Sequence, residues 1–597
     1  MNHIKSFLFI MMAMVSLSVS ASKAVHFMRQ VTLESGREVT VHPVGDEYLH
    51  YLVTTEGEVV VEENGRYRLA TMLEVENLKI QSQQYSATLR ARMQGLGIGS
   101  PLTAEGIYTP KPFPHMGRPR ALVIMVAYSD IDFIYTKAEI DSVFNAREYN
   151  ADDDFKSYGS MAQYFDDCSQ GNFRPQFDLV GPYTLDNEQH VYGGVTDRVD
   201  SLVIHACRKA EADGVDFSQY DTDGDGYLDL VYVLYSGYGA SMGADEYVWP
   251  CSGWLIPSKD NVFGGKYLFR YSVSPELFGD PYVEKVLQID SPKLNGIGVA
   301  VHEFSHVLGL PDIYPTLQWL TEDNYYDVLK YDNQSMEDWD VMDNGENINN
   351  GFDPVPYTAW EMELMGWTEK MDTLKERCEV SLTPIIYGGS GKRIMNDNDP
   401  TGNEYWILEN VPAGNDAGWY RAMPGSGMLV THINYDKNEF RYAPNNVPGA
   451  PRMTLIPADG ELLSSYRSSL SRTDPKYMSV AQIRANMKCD SYPLVTEDTL
   501  VTSLTDYRAY TGTVDKPITA ITKQADGTIT FKFMGGNLIM GDVNMDGSVT
   551  VADANVVVNR FLGNTTGDFD TEAADLNDDG EITIGDANAI VNMYLEK

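Results

Sequence analysis

Cysteine is scarce in this chain: there are five in 597 residues, and none precedes Cys168. So sparse and odd a set excludes a disulfide-built scaffold, leaves at least one thiol unpaired, and offers no cysteine near the N-terminus for lipid attachment. Positive charge is scarce too. Against 86 Asp and Glu stand 45 Lys and Arg, a formal net charge of -41 with a pI near 4.5. That balance argues against nucleic acid and anionic membrane surfaces as partners, and it suits a soluble protein that binds cations. Long apolar runs are missing as well. The N-terminal one, Phe7 to Val19 behind Lys5, is too short to span a bilayer, and no later stretch is long enough for a membrane span.

That N-terminal run, closed by the small residues Val19-Ser20-Ala21, reads as a secretory signal peptide over residues 1–21, so the mature protein is expected to be secreted. Apolar residues make up 43% of the chain, which excludes wholesale disorder and supports several domains with large cores. Residues 22–119 read as a small β-rich propeptide and linker. Val31-Thr32-Leu33, Glu38 to Val41, Tyr48 to Val53 and Val59 to Glu62 are β-branched or alternating runs broken by Ser35-Gly36, Gly45-Asp46 and Glu56-Gly57. A more helical stretch follows near Ser86 to Met93. The proline-rich segment from Pro110 to Pro119 reads as an exposed linker where proteolytic activation is natural.

Residues 120–377 read as a mixed α/β unit. Ala121 to Tyr128 and Asp229 to Tyr235 are apolar runs suited to buried strands, and Ser160 to Asp167, Val199 to Ala212 and Val299 to Leu308 read as helices. Residues 378–538 are β-rich, with Tyr405 to Leu408, Gly427 to Ile433 and Thr528 to Phe533 expected as antiparallel strands.

The segment His302-Glu303-Phe304-Ser305-His306-Val307-Leu308-Gly309-Leu310-Pro311-Asp312 carries the chemistry. On a helix, positions i and i+4 lie one above the other, so the imidazoles of His302 and His306 can face one ion while Glu303 polarises a bound water. Gly309 can take the φ > 0 conformation that ends the helix, which lets Asp312 return as third ligand and leaves a fourth position open. Hard oxygen and imidazole donors of this kind suit a single catalytic zinc, with Glu303 as general base. A carboxylate to orient the histidines is expected, with Asp340 and Asp343 as candidates.

This pattern resembles the metzincin zinc peptidases, whose motif is H-E-x-x-H-x-x-G-x-x-H followed by a methionine turn, with Asp312 in place of the last histidine. Among them it is similar to the immune inhibitor A type, and Trp339-Asp340-Val341-Met342-Asp343 looks like its methionine turn, with Met342 beneath the metal. Tyr232 to Gly239, Tyr247-Val248-Trp249, Ala359 to Trp367, Glu404 to Asn410 and Pro424 to Val430 agree with that resemblance in order. It implies a metzincin-like catalytic domain and a secreted zinc endopeptidase acting on protein or peptide substrates. Two other readings stand beside it: a silent zincin fold serving as an anchored binding or structural protein, and a gluzincin with a distant third ligand. Since no cysteine precedes Cys168, latency by a cysteine on zinc is impossible; His42 or Asp46 would have to cover the metal.

Two further acidic patterns read as calcium loops. Asp221, Asp223, Asp225 and Asp229 frame Gly226 as positions one, three, five and nine of such a loop, with Tyr232 where an EF-hand has its bidentate acid. In the tail, Asp542, Asn544, Asp546, Gly547, Ser548, Thr550 and Asp553 fill seven loop positions, and Asp575, Asn577, Asp579, Gly580, Glu581, Thr583 and Asp586 repeat them 33 residues later. Each loop leads into a helical run. This tail, residues 539–597, resembles a dockerin, which implies an all-α module with two calcium ions, a cohesin module of a scaffold or surface protein as partner, and localisation at such a scaffold.

Overall fold

The computed structural model describes residues 17–595 except 22–27, 81–111, 150–156 and 316–333, with shorter gaps at 47–48, 64–65, 79, 148, 195–197, 244–245, 256, 414–417, 442, 448, 471 and 565–568. Residues 1–16 of the expected signal peptide and the expected helix near Ser86 lie outside the described residues. Two compact units emerge: residues 1–368 with 436–452 and 463–484, and residues 369–435 with 453–462 and 485–597.

In the first unit, β1 (Leu17–Ala21) precedes an antiparallel meander of β2 (Arg29–Thr32), β3 (Glu38–Asp46), β4 (Leu49–Thr54), β5 (Val59–Glu63) and β6 (Arg66–Leu69). Alternate residues Val39 and Val41 of β3 meet Val31, Leu52 and Val60 in its core, as a two-residue period requires. The main sheet is built differently. β7 (Arg120–Ala127) buries every residue from Ala121 onward, the signature of a parallel strand covered on both faces. It pairs in parallel with β8 (Gln176–Thr184) and β9 (Val231–Tyr235), and toward the other edge an antiparallel strand β10 (Cys251–Trp254) pairs with β11 (Arg270–Pro275), itself parallel to β9. β1 lies antiparallel to β10 at that edge.

Helix α1 (Val199–Ala212) covers the sheet with Val199, Leu202, Val203, Ala206 and Ala210, spaced as one apolar face. Helix α2 (Gly298–Leu308) packs close to β10 and β11, whose Ser252 and Ser272 hydroxyls both donate to the Glu303 carbonyl. At Gly298 a Cβ would stand 2.1 Å from the Glu346 carbonyl oxygen, so the start of α2 can approach that loop only with glycine.

The proline-rich segment departs from expectation. Phe113 is fully buried against Phe304 and Phe173, and Gly117 pairs with Asn172 and Arg174 through the backbone, so although residues 116–118 are exposed, the described stretch 112–119 is bound to the body of the unit. Proline removes N–H donors and favours extended backbone, which suits solvent but equally suits a groove whose acceptors are met by the remaining N–H groups.

In the second unit a five-stranded sheet includes Glu404–Val411 paired with Gly427–Asn434, and a three-stranded sheet joins Cys378–Leu382, Ile529–Phe533 and Ile518–Lys523. Glu404 is 1% exposed, yet it accepts from His432 Nε2 at 2.9 Å, Asn396 Nδ2 at 2.8 Å, Tyr510 N at 2.6 Å and Thr511 N at 3.1 Å. Burial alone would raise its carboxyl; these donors pull it from 4.5 to about 2. A depressed folded-state value means stabilisation that is complete above 4.5 and fades as pH falls toward 2. Glu404→Ala should therefore cost about 3 kcal/mol in urea unfolding at neutral pH, with a smaller penalty in acid.

Candidate metal centre

The end of α2 is set by its last turn. Gly309 caps it at φ 102°, ψ 15°, and its N–H meets the carbonyls of Ser305 and His306. The chain then turns back so that Asp312 faces both histidines. His302 Nε2 lies 3.2 Å and His306 Nε2 3.3 Å from Asp312 Oδ1, and the two Nε2 atoms are 3.1 Å apart. Donors about 2.0–2.1 Å from a tetrahedral metal are themselves about 3.3 Å apart, so this triangle fits one face of a zinc tetrahedron.

The tautomers agree with that fit. His302 Nδ1 is 2.9 Å from the Val341 carbonyl and His306 Nδ1 is 2.8 Å from the Leu310 carbonyl. A carbonyl only accepts, so each Nδ1 carries a proton, and in the neutral ring that leaves Nε2 bare toward Asp312. Lone pairs converging on a carboxylate oxygen need a cation among them. Burial opposes charge on His302, but Glu346, Asp312 and Glu303 outweigh it and hold its pKa well above the ordinary value. Burial would likewise raise Asp312, yet His306 and His302 keep it below the usual carboxylate range. The pocket favours positive charge, and zinc would supply it without protonating the ligands.

Glu303 is fully buried beside His302. Met342 is buried too, in a turn that Asp343 N closes on the Asp340 carbonyl at 3.1 Å. Consecutive carbonyls of this turn do the holding: Val341 receives His302, and Met342 receives Ile313 N at 2.8 Å. One turn thus fixes His302 and the residue next to Asp312.

Asp340 and Asp343 both brace the loop that carries Met342. Asp340 Oδ1 accepts from Met342 N at 2.7 Å, and Asp343 Oδ2 accepts from Met336 N, Glu337 N and the Ser335 hydroxyl. Backbone carbonyls hold each histidine Nδ1, and the Glu346 carboxylate stands near one of them, with Oε2 3.7 Å from His302 Nδ1. Nothing in its spacing distinguished Glu346 within an acid-rich run. Returning segments were equally hidden: Asn445 Nδ2 donates to the Ile313 carbonyl at 2.8 Å and Tyr466 OH to that of Pro315 at 2.9 Å. Among the described residues no side chain of the N-terminal meander joins the ligand group, and burial pushes His42 down to about 4.

The acidic loop near β9 gathers Asp221, Asp223 and Asp225, with carboxylate oxygens within 4.8 Å of one another. Asp229 stands outside this group. Its Oδ2 accepts from Thr222 N at 3.2 Å and Thr222 Oγ1 at 2.5 Å, while Lys266 Nζ is 2.5 Å from Asp221 Oδ2. All five cysteines are unpaired.

In the tail the two loops match bond for bond. Asp542 accepts from Asp546 N and Gly547 N, and Asp575 from Asp579 N and Gly580 N. Asn544 and Asn577, Asp546 and Asp579 repeat the next bonds, the latter pair accepting from Ser548 N and Glu581 N. Asp553 and Asp586 each cap a helix through Thr550 and Thr583, opening α3 (Val551–Phe561) and α4 (Ile584–Leu595). Residues 540–596 match the dockerin type I domain. The chain carries a C-terminal dockerin.

The dockerin core joins Val543, Val549 and Val557 of the first repeat to Ala574, Ala587 and Ile590 of the second. Immune inhibitor A of Bacillus thuringiensis subsp. alesti is 24% identical over 246 residues, which cover 33% of this chain and 33% of that relative. The chain thus spans about a third of the length of the curated relative it matches. Among the described residues no helix is long and apolar enough to cross a membrane.

Proposed function

We propose that this chain is a secreted zinc endopeptidase whose dockerin attaches it to a cohesin-bearing scaffold or surface. The convergence of His302 Nε2, His306 Nε2 and Asp312 Oδ1 beside buried Glu303 carries the reading, and the distant likeness to Immune inhibitor A supports it. Zinc at this point supplies Lewis acidity toward a peptide carbonyl and lowers the pKa of water. The chain's own groups do the rest. Glu303 accepts the proton of the attacking water and returns it to the leaving amine, and its burial keeps bulk water from competing for that proton. The Val341 and Leu310 carbonyls hold each imidazole in the tautomer that leaves Nε2 bare.

Incubating the full chain with an unbiased peptide library, with and without a zinc chelator, tests this by mass spectrometry of the products. Chelator-sensitive cleavage is expected; cleavage that ignores the chelator contradicts zinc, and no cleavage by metal-loaded, processed protein favours a silent anchored protein.

The dockerin loops should couple folding to calcium, because crowded carboxylates oppose compaction until a cation relieves them. The segment Gly541 to Lys597 should gain helical circular dichroism on adding calcium, and hydrolysis of short peptides should survive its deletion. A calcium-blind spectrum, or loss of short-peptide cleavage by the folded remainder, would remove the docking-module reading.

A further inference from the structure

A helix leaves its last four carbonyls without intrahelical partners, and in α2 those belong to Ser305, His306, Val307 and Leu308. The first two are met by the Gly309 turn: Ser305 receives Gly309 N and Leu310 N, and His306 receives Gly309 N. The last two are met from far away in the sequence. Phe113 N donates to the Val307 carbonyl at 3.3 Å, and His115 Nε2 lies 2.8 Å from the Leu308 carbonyl, which as an acceptor requires the proton on Nε2.

The segment that supplies these donors is itself anchored on both sides. The Phe113 ring meets Phe304 edge-on at 5.1 Å on the helix and Phe173 at 6.4 Å. Trp367 Nε1 donates to the His115 carbonyl at 2.8 Å, Asn172 Nδ2 donates to the Trp367 carbonyl at 3.0 Å, and Gly117 N donates to the Asn172 carbonyl at 2.7 Å.

We propose that Phe113 to His115 form a strap that belongs to the peptidase, fixing the turn between His306 and Asp312, so that any activating cut must fall on the N-terminal side of Phe113. His115 acts here as a positioning residue: it touches neither metal nor substrate, but without its N–H the turn that sets the spacing of the ligands loses an anchor. This rests on the zinc reading above.

The test loads the full chain with cobalt in place of zinc and reads the visible absorption of the ion, together with its rate of loss to a chelator. His115→Leu should shift the cobalt spectrum and speed metal loss about tenfold, the lower end of the ~10–100-fold effect of removing groups that orient ligands. His115→Gln, which keeps an N–H donor, should restore much of both. A His115→Leu chain with a lower melting temperature but wild-type spectrum and loss rate would overturn the proposal, since the residue would then serve stability alone. Should that variant fail to fold, the mass of the mature secreted chain decides: a start before Phe113 supports the strap, and a metal-holding chain that starts at or beyond Pro114 overturns it. A wild-type chain that binds no cobalt would instead count against the zinc reading itself.

Discussion

Glu303→Gln is expected to lower kcat/KM for a cleaved peptide by about 10²–10⁴-fold, the range general bases contribute, while the variant keeps its metal. The substitution is nearly isosteric, and the Ser252 and Ser272 contacts that bind this part of α2 to the sheet go to the backbone carbonyl, which glutamine retains. Folding and the His302, His306 and Asp312 donors should therefore be preserved, and only the proton acceptor is lost. Steady-state rates and metal content measured on the same preparation check both halves. Rates near those of the wild type would show that Glu303 is not the base.

Asp312→Ala should lose metal and activity together. Its Oδ1 is the one oxygen donor in the triangle, and without it two bare Nε2 atoms 3.1 Å apart would share the ion with extra solvent. Metal affinity should fall by more than the ~10–100-fold typical of groups that merely orient ligands. It also removes the carboxylate that, after Glu346, most strongly favours positive charge at His302. Dialysis of variant and wild type against a mild chelator, followed by metal analysis, reads the effect. Unchanged zinc affinity would point to a different third ligand.

The convergence of His302, His306 and Asp312 was legible in the sequence because each step in it is local. The i, i+4 spacing of His302 and His306 is a property of one helix, and Gly309 at φ 102° supplies the turn that brings Asp312 around. The dockerin loops were legible for the same reason, since each position of a calcium loop answers a short-range geometric demand. The residues that hold the site were not. Val341 and Leu310 act through carbonyls, which every residue possesses, and Glu346, Asn445 and Tyr466 arrive by tertiary packing that no spacing records. Asp340 and Asp343 carry the expected chemistry, and each also accepts backbone N–H groups of its own loop. The same limit explains the segment around Phe113: its prolines announce extended backbone, but whether that backbone faces water or the end of a helix depends on partners nearly 200 residues away.

The most direct test of zinc-dependent peptidase chemistry at this site is a metal titration of the full chain. Protein stripped by a chelator should cleave no library peptide, regain activity in proportion to added zinc, and reach its plateau at one zinc per chain, while Glu303→Gln binds the same single equivalent without regaining activity. Cleavage that persists in the stripped protein, or a chain that retains no zinc at His302, His306 and Asp312, would contradict the account.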